Sequence, residues 1–433
     1  VNMCSQNAKR IRSSVEAVLD ILSTGKKGAS YAMVAPSFPA AFLDINAGSI
    51  VGALREAGFD GVFEVAFGAD LVSYEYSRRF HDPKTDDQDG FVISSPCPAV
   101  VNFVERMHPD LVPHLARVMS PMEAMGKVLK ERMNGDAKIV FIGPCVAKKD
   151  EAERTEYVDE VLTFNELLEL FAAAGVDYRA AAAEEFDPPE ANLGKLYPVT
   201  GGLLKAASID SDLLASPGYV VEGQERVSDI LKVLEKKVQN GEPVVNRLFD
   251  LLFCDGCIAG PAIPNDLTFY ERRRYIIDYM SKRAMITDIG DWAEKHDDYL
   301  SINLYREFAP VATAAGMPSE EEIRKVLAKT NKHGKEDELN CRACGYNSCR
   351  DKAVAVIRGT AEVEMCLPYI ISQLETVISD FKTNQTRLIQ AEKLASMGQM
   401  AAGIAHEINN PLGVVLMYAH LLKEELAASD SID

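Results

Sequence analysis

No run of eighteen apolar residues free of charge occurs in the sequence, so no segment reads as a transmembrane helix. The N-terminus also lacks a basic region followed by an apolar stretch and a cleavage site, the marks of a secretory signal. Basic residues are scarce: 46 Lys and Arg stand against 65 Asp and Glu, a net charge of −19. Such a chain repels phosphates, which argues against broad contact with nucleic acid or an anionic membrane and leaves only local contact. The protein is expected to be soluble and cytoplasmic. In that reducing compartment its nine cysteines stay thiols, so their clustering points to metal or redox chemistry and not to disulfides.

A chain of 433 residues exceeds one compact core, and about two to four folding units are expected. Apolar periodicity predicts a helix from Ile11 to Leu22, a turn at Gly25 to Gly28 and a strand from Tyr31 to Ala35. Helix then alternates with strand: Ile50 to Ala57 is helical, Gly61 to Val65 extended, Ala69 to Phe80 helical, Lys138 to Ile142 a buried strand and Phe164 to Ala174 a helix. This rhythm indicates an α/β domain with covered sheets.

From about Ile302 the strands stop. Ser319 to Lys329 begins a helix, with Ser319 as its cap and Glu322 three residues on. Beyond Cys366 and Pro368, Ile371, Leu374, Ile378, Phe381 and Leu388 recur at three- and four-residue steps, interrupted by Gln385. The pattern fits a coiled-coil or signalling helix, and equally an ordinary amphipathic helix packed on the preceding domain.

Four cysteines, Cys341, Cys344, Cys349 and Cys366, fall in the spacing C-x2-C-x4-C-x16-C. Three sit on one tight loop, where Gly345 frees the backbone to wrap a cluster, and the fourth arrives after a helix. Four thiolates so spaced suit a [4Fe–4S] cube, with structural zinc as the alternative on the same ligand set. The module, about Pro318 to Tyr369, resembles the small four-cysteine iron–sulfur domain of anaerobic redox proteins.

Cys97 in SSPCPAVVN, Cys145 in FIGPCVAKKDEAE, and Cys254 with Cys257 in LLFCDGCIAGP lie far apart, each beside Pro or Gly at the end of an apolar segment. Alone, each reads as a buried thiol; at loop ends, they can also turn inward to a shared cluster. With APSFPAAF, ALREAGFDGVFEVAFGADL, MSPMEAMG and VTGGLLKAA between and around them, they resemble the catalytic domain of [FeFe]-hydrogenases over roughly Tyr31 to Tyr305. The resemblance implies an α/β, two-lobed domain with mixed or parallel sheets, then a small helical iron–sulfur module and a long coiled-coil or dimerisation helix.

It also implies an H-cluster: a [4Fe–4S] cube on Cys97, Cys145 and Cys254, joined through Cys257 to a two-iron unit bearing CO, cyanide and a bridging dithiolate. Lys148 would donate to a cyanide ligand. Glu151 would lie at the cluster's edge, although a glutamate after two lysines also reads as a solvated helix start. Several positions depart from catalytic members. Pro96 stands where they carry a proton-shuttling cysteine, Tyr76 and Arg79 where they carry relay glutamates, with Glu75 adjacent. Gly143 and Leu252 replace methionines, and the third loop is one residue shorter. These departures resemble the sensory branch of the family, with slow turnover of hydrogen. Such loop and thioether changes should shift a cluster's potential and exposure.

The segment QAEKLASMGQMAAGIAHEINNPLGVVLMYAHLL resembles the dimerisation and phosphoacceptor helix of sensor histidine kinases. His406 would accept the phosphoryl group, Glu407 take its proton and Asn410 orient water for the reverse reaction. Pro411 should bend the helix just past the histidine. A lone surface histidine is the plain alternative. No ATP-binding elements follow, so kinase activity would need a longer parent chain. Cys4, in VNMCSQNAKRI, resembles the last ligand of a ferredoxin motif, with a free buried cysteine as the alternative.

The expected order is a ferredoxin remnant at 1–28, the H-cluster domain at 29–315, the iron–sulfur module at 316–370, a signalling coiled coil at 371–392 and an incomplete phosphoacceptor segment at 393–433. The function implied is a sensor of hydrogen, CO or redox state, dimeric through the C-terminal helix and acting on a response regulator. Its rivals are a true hydrogenase that uses the kinase helix only to dimerise, and an iron–sulfur scaffold lacking the two-iron unit.

Overall fold

A computed structural model describes residues 11–24, 29–43, 45–81, 90–133, 137–209, 218–282, 289–311 and 318–429. Cys4 and the turn expected at Gly25 to Gly28 lie outside the described residues. The described chain forms two compact units, 11–311 and 318–429.

Among the described residues the first unit holds seven strands: β1 (Ser30–Val34), β2 (Gly61–Glu64), β3 (Val92–Ile93), β4 (Lys138–Gly143), β5 (Glu160–Thr163), β6 (Gly218–Glu222) and β7 (Leu248–Leu252). They make two sheets, ordered β2-β1-β4-β5 and β3-β7-β6, in which every pairing is parallel. β1 aligns Ser30 with Lys138 and Val34 with Ile142, and β7 aligns Leu248 with both Val92 and Gly218. Parallel strands need crossover helices that cover both faces, which is why β2 and β7 are buried along their whole length.

β1, β2 and β4 match the sequence reading to within a residue or two, β5 was not foreseen, and the helix Phe164–Ala174 matches it end to end. That helix begins on a Thr163–Glu166 capping box and ends at Gly175, whose φ of +70° suits a residue without Cβ. The second sheet was not foreseen. β3 is two residues long and β6 is half-exposed, too little apolar pattern to register. Strands also end well before Ile302, at Leu252, and helices carry the chain onward.

Helix Ala66–His81 crosses Pro121–Arg132 closely, because Gly68 offers no side chain where the Pro121 carbonyl would lie 2.4 Å from a Cβ. Beside it Phe67 packs on Tyr299 (centroids 4.8 Å) and Trp292 (5.6 Å), and Trp292 is fully buried.

In the second unit, helices Glu320–Ala328 and Cys349–Ile357 share a small core of Ile323, Leu327 and Ala353. Ser319 caps the first and Glu322 returns the bond, as the sequence predicts. Helix Leu367–Ser429 then continues through Pro411 without a break. Its side chains from 371 to 424 are all exposed, among them Leu374, Ile378, Phe381 and Leu388.

Gly68→Ala should force the two crossing helices apart and cost about 1–3 kcal/mol, read as a lowered thermal midpoint. An unchanged midpoint would show that the crossing has slack.

Candidate functional site

All three thiol loops of the first unit leave the carboxyl ends of parallel strands. Cys97 follows β3, Cys145 follows β4 and Cys254 with Cys257 follows β7. Ligands of open α/β sheets gather in the crevice at that edge, and here strands of both sheets deliver sulfur to it. Two polar contacts fix the second sheet's loops: the Ser94 hydroxyl donates to Asp250 (3.1 Å) and accepts the Leu251 amide (3.1 Å). Cys97 opens helix Pro98–Met107, and Cys257 begins a short 3-10 turn after Gly256, whose φ is +75°.

The four sulfurs lie close enough to act on one another. Burial, then the charges of Cys97 and Cys254, push the Cys145 thiol up to about 12. Burial, then Cys97 and Asp255, push Cys254 up to about 11. Burial and the other three cysteines raise Cys257 as well. Burial also raises Cys97, against the backbone amides of Phe253, Val100 and Ala99 and the charge of Lys148. Thiols in such a cage become ligands only when a cation replaces their protons. Among the described residues no three His, Cys, Asp or Glu are arranged to grip a single ion. A four-iron cube takes one thiolate per iron, so its ligands stand apart at the corners, and this donor set fits it.

Lys148 is buried beside the cage, and its ammonium donates to Ser120 Oγ (2.9 Å) and Glu151 Oε2 (2.6 Å). Glu151 is 3% exposed, so the solvated-helix alternative falls. Its other oxygen accepts from Arg306 (2.9 Å), which also pairs with buried Glu123. Glu123 and Ser120 close the ring as a capping box. Burial, then Glu151, raises the Glu123 carboxyl, with Arg306 and Lys148 opposing. Sequence reasoning missed Glu123 and Arg306. Glu123 lies inside the MSPMEAMG segment, and Arg306 one residue past the Tyr305 limit of the resemblance.

At the relay positions, the Tyr76 hydroxyl meets Ser95 Oγ (3.1 Å) and accepts the Ser95 amide (2.9 Å), while Ser95 Oγ donates to the Val118 carbonyl (2.7 Å). This chain ends on an acceptor that holds no exchangeable proton. Burial opposes ionisation of Glu75, but bonds from Arg78 and Arg79 outweigh it and hold its carboxyl below the ordinary value. Gly143 has no room for the family's methionine, because a Cβ there would come within 2.7 Å of the Phe141 ring.

In the second unit, Cys341, Cys344, Cys349 and Cys366 line one cavity with the buried Lys332 and Lys352. The loop turns through Asn340 (φ +46°), Arg342 (+59°) and Gly345 (+83°), and the Cys349 amide donates to Asn340 Oδ1 (2.8 Å). Lys332 donates to Cys366 Sγ at 3.3 Å and Lys352 to the Val363 carbonyl at 2.7 Å. Burial lowers the Lys352 ammonium, against the charges of Cys366, Cys344 and Cys349. Further along, His406, Glu407 and Asn410 lie exposed on the long helix, and Pro411 leaves the Glu407 carbonyl without its helical donor.

Arg306→Leu should cost about 3–5 kcal/mol in urea unfolding, since two buried carboxylates would share only Lys148. Burial raises Asp250 from 3.8 to about 6, against its Ser94 bond. The folded chain therefore holds that proton more tightly than the unfolded one, and stability falls as pH climbs from roughly 4 to 6. Asp250→Asn should flatten that slope in pH-dependent melts.

The family described as Iron only hydrogenase large subunit, C-terminal domain, matches residues 29–261, more than half of the chain. An Fe-S cluster domain matches 337–368, and a His Kinase A (phospho-acceptor) domain matches 396–432. The NADP-reducing hydrogenase subunit HndD of Solidesulfovibrio fructosivorans is 31% identical over 37% of this chain and 31% of its own length. Iron hydrogenase 1 of Clostridium pasteurianum is 30% identical over 37% and 31%. Protein NAR1 of Arabidopsis thaliana is 27% identical over 34% and 39%. The chain thus spans about a third of the length of the two hydrogenases. A variant of the [FeFe]-hydrogenase HydA1 from Chlamydomonas reinhardtii shares the fold, with a TM-score of 0.55 at 19% identity over 69% of this chain and 99% of that one. No helix among the described residues is long and apolar enough to cross a membrane. With its four-thiol cage at the carboxyl ends of two parallel sheets and a family match over more than half of its length, the chain belongs to the iron-only hydrogenase family, through the C-terminal domain of the large subunit.

Proposed function

We propose that the chain is a hydrogen or redox sensor that binds an H-cluster, turns over hydrogen slowly and signals through a histidine-kinase phosphorelay. Cys97, Cys145 and Cys254 would hold the cube and Cys257 would join it to the two-iron unit, which when bound would supply the affinity for hydrogen or CO. Lys148 would present its ammonium to the ligands of that unit, while Glu151, Arg306 and Glu123 hold it in place. The observation that carries the sensory reading is the proton path. Pro96 has no proton to give, Tyr76 leads through Ser95 to a carbonyl, and Glu75 is clamped by two arginines. A sensor requires only that occupancy change, not that the site cycle quickly.

The cluster of Cys341, Cys344, Cys349 and Cys366 relays electrons or strain. The helix after Pro368 then carries the change to His406, with Glu407 taking the proton and Asn410 placing water for the reverse reaction. The exposed apolar side chains of that helix favour a homodimer, since burying them against a second copy removes them from water. An ATP-binding domain in a longer chain and a response regulator complete the relay, in a reducing, cytoplasmic setting.

The likeness to NAR1, and to proteins described as cytosolic Fe-S cluster assembly factors, favours a second reading: an iron–sulfur protein without the two-iron unit. Infrared spectra of the anaerobically matured chain separate the two. Bands from CO and cyanide that shift under hydrogen, with low turnover raised by Pro96→Cys, are the expected result. Cube absorption without such bands would leave the second reading, and fast wild-type turnover would make the chain a working hydrogenase.

A further inference from the structure

The small unit holds two cations where its thiol cavity meets the protein interior. Lys332 is 8% exposed, and its ammonium donates to Cys366 Sγ at 3.3 Å and to the Thr330 carbonyl at 3.1 Å. Lys352 is 5% exposed and lies three residues after Cys349 on the same helix, hence on the same face. Lys335, by contrast, is exposed, and so is Arg342, the remaining cation of the cavity wall. Water screens those two, whereas a buried charge acts at low effective dielectric.

Four thiolates bring four negative charges to one centre, and iron offsets only part of them. Reduction by one electron adds another. Ammonium groups held out of water beside the ligands stabilise the added charge, which raises the reduction potential. A lysine at this depth is costly unless a negative group faces it, and Cys366 is the group that Lys332 faces.

We propose that Lys332 and Lys352 are positioning residues that raise the reduction potential of the cluster on Cys341, Cys344, Cys349 and Cys366, Lys332 through a direct N–H···S bond to Cys366. The inference rests on the reading that these cysteines hold an iron–sulfur cluster. Cys366 is also the root of the long helix: its carbonyl accepts the Ile370 amide at 3.0 Å, and Leu367 follows it as the first helical residue. The pull of Lys332 on the Cys366 sulfur strengthens as the cluster gains an electron, so the redox change is felt at the residue from which that helix starts.

The test uses the full chain, reconstituted anaerobically with iron and sulfide and titrated against redox dyes while its paramagnetic signal is followed. The module's signal is the one lost in Cys341→Ser. Lys332→Gln and Lys352→Gln should each move that signal to lower potential with iron content unchanged, and exposed Lys335→Gln should leave it in place. Wild-type iron content and an unmoved potential in Lys332→Gln overturn the proposal. So does loss of the cluster in that variant, since the lysine would then serve assembly. If no signal of the wild-type chain depends on Cys341, the cluster reading fails first and the inference falls with it.

Discussion

A sulfur anion can stay out of water only where a cation shares its space. Both thiol clusters of this chain are arranged around that constraint. In the first unit burial raises all four thiols and repulsion between them adds to it at Cys145, Cys254 and Cys257, so their strand-end loops bring sulfur together in a form that calls for metal. Lys148 supplies fixed positive charge on one side. In the second unit Lys332 and Lys352 do the same beside Cys366 and its neighbours. The two sites share no motif, yet each pairs four cysteines with buried ammonium.

Holding a buried lysine beside metal ligands needs further structure. Lys148 belongs to a closed ring with Ser120, Glu123, Arg306 and Glu151, two cations against two anions. Such a ring gains little over well-packed apolar groups, and its loss of one member is severe. What it adds is geometry, since every charged group has two partners that hold the ammonium in place. The helix crossing at Gly68 works with it, because Pro121 of that contact follows Ser120 of the ring.

The same polar economy runs through the region around Tyr76. Tyr76, Ser95 and Glu75 are all satisfied by local partners and none is left to pass a proton toward Cys97. The long helix of the second unit shows the opposite character: its apolar side chains remain in water.

The sequence by itself determined the cysteine-bearing loops, strands β1, β2 and β4 and the Ser319 helix cap. Each is a local pattern: Cys254 with Cys257, Cys341 to Cys349, short apolar runs for the strands, and Ser319 with Glu322. Resemblance extended that to Lys148, Glu151 and His406. Only the tertiary structure decided that Glu151 is buried in a charge ring, that Arg306 reaches Glu123 across 183 residues, and that Lys332 donates to Cys366 from 34 residues away. It also decided the second sheet, whose two-residue β3 exists because Val92 and Ile93 find β7. Local chemistry is written in spacing, whereas a buried charge or a short strand acquires its role from partners that only folding brings near.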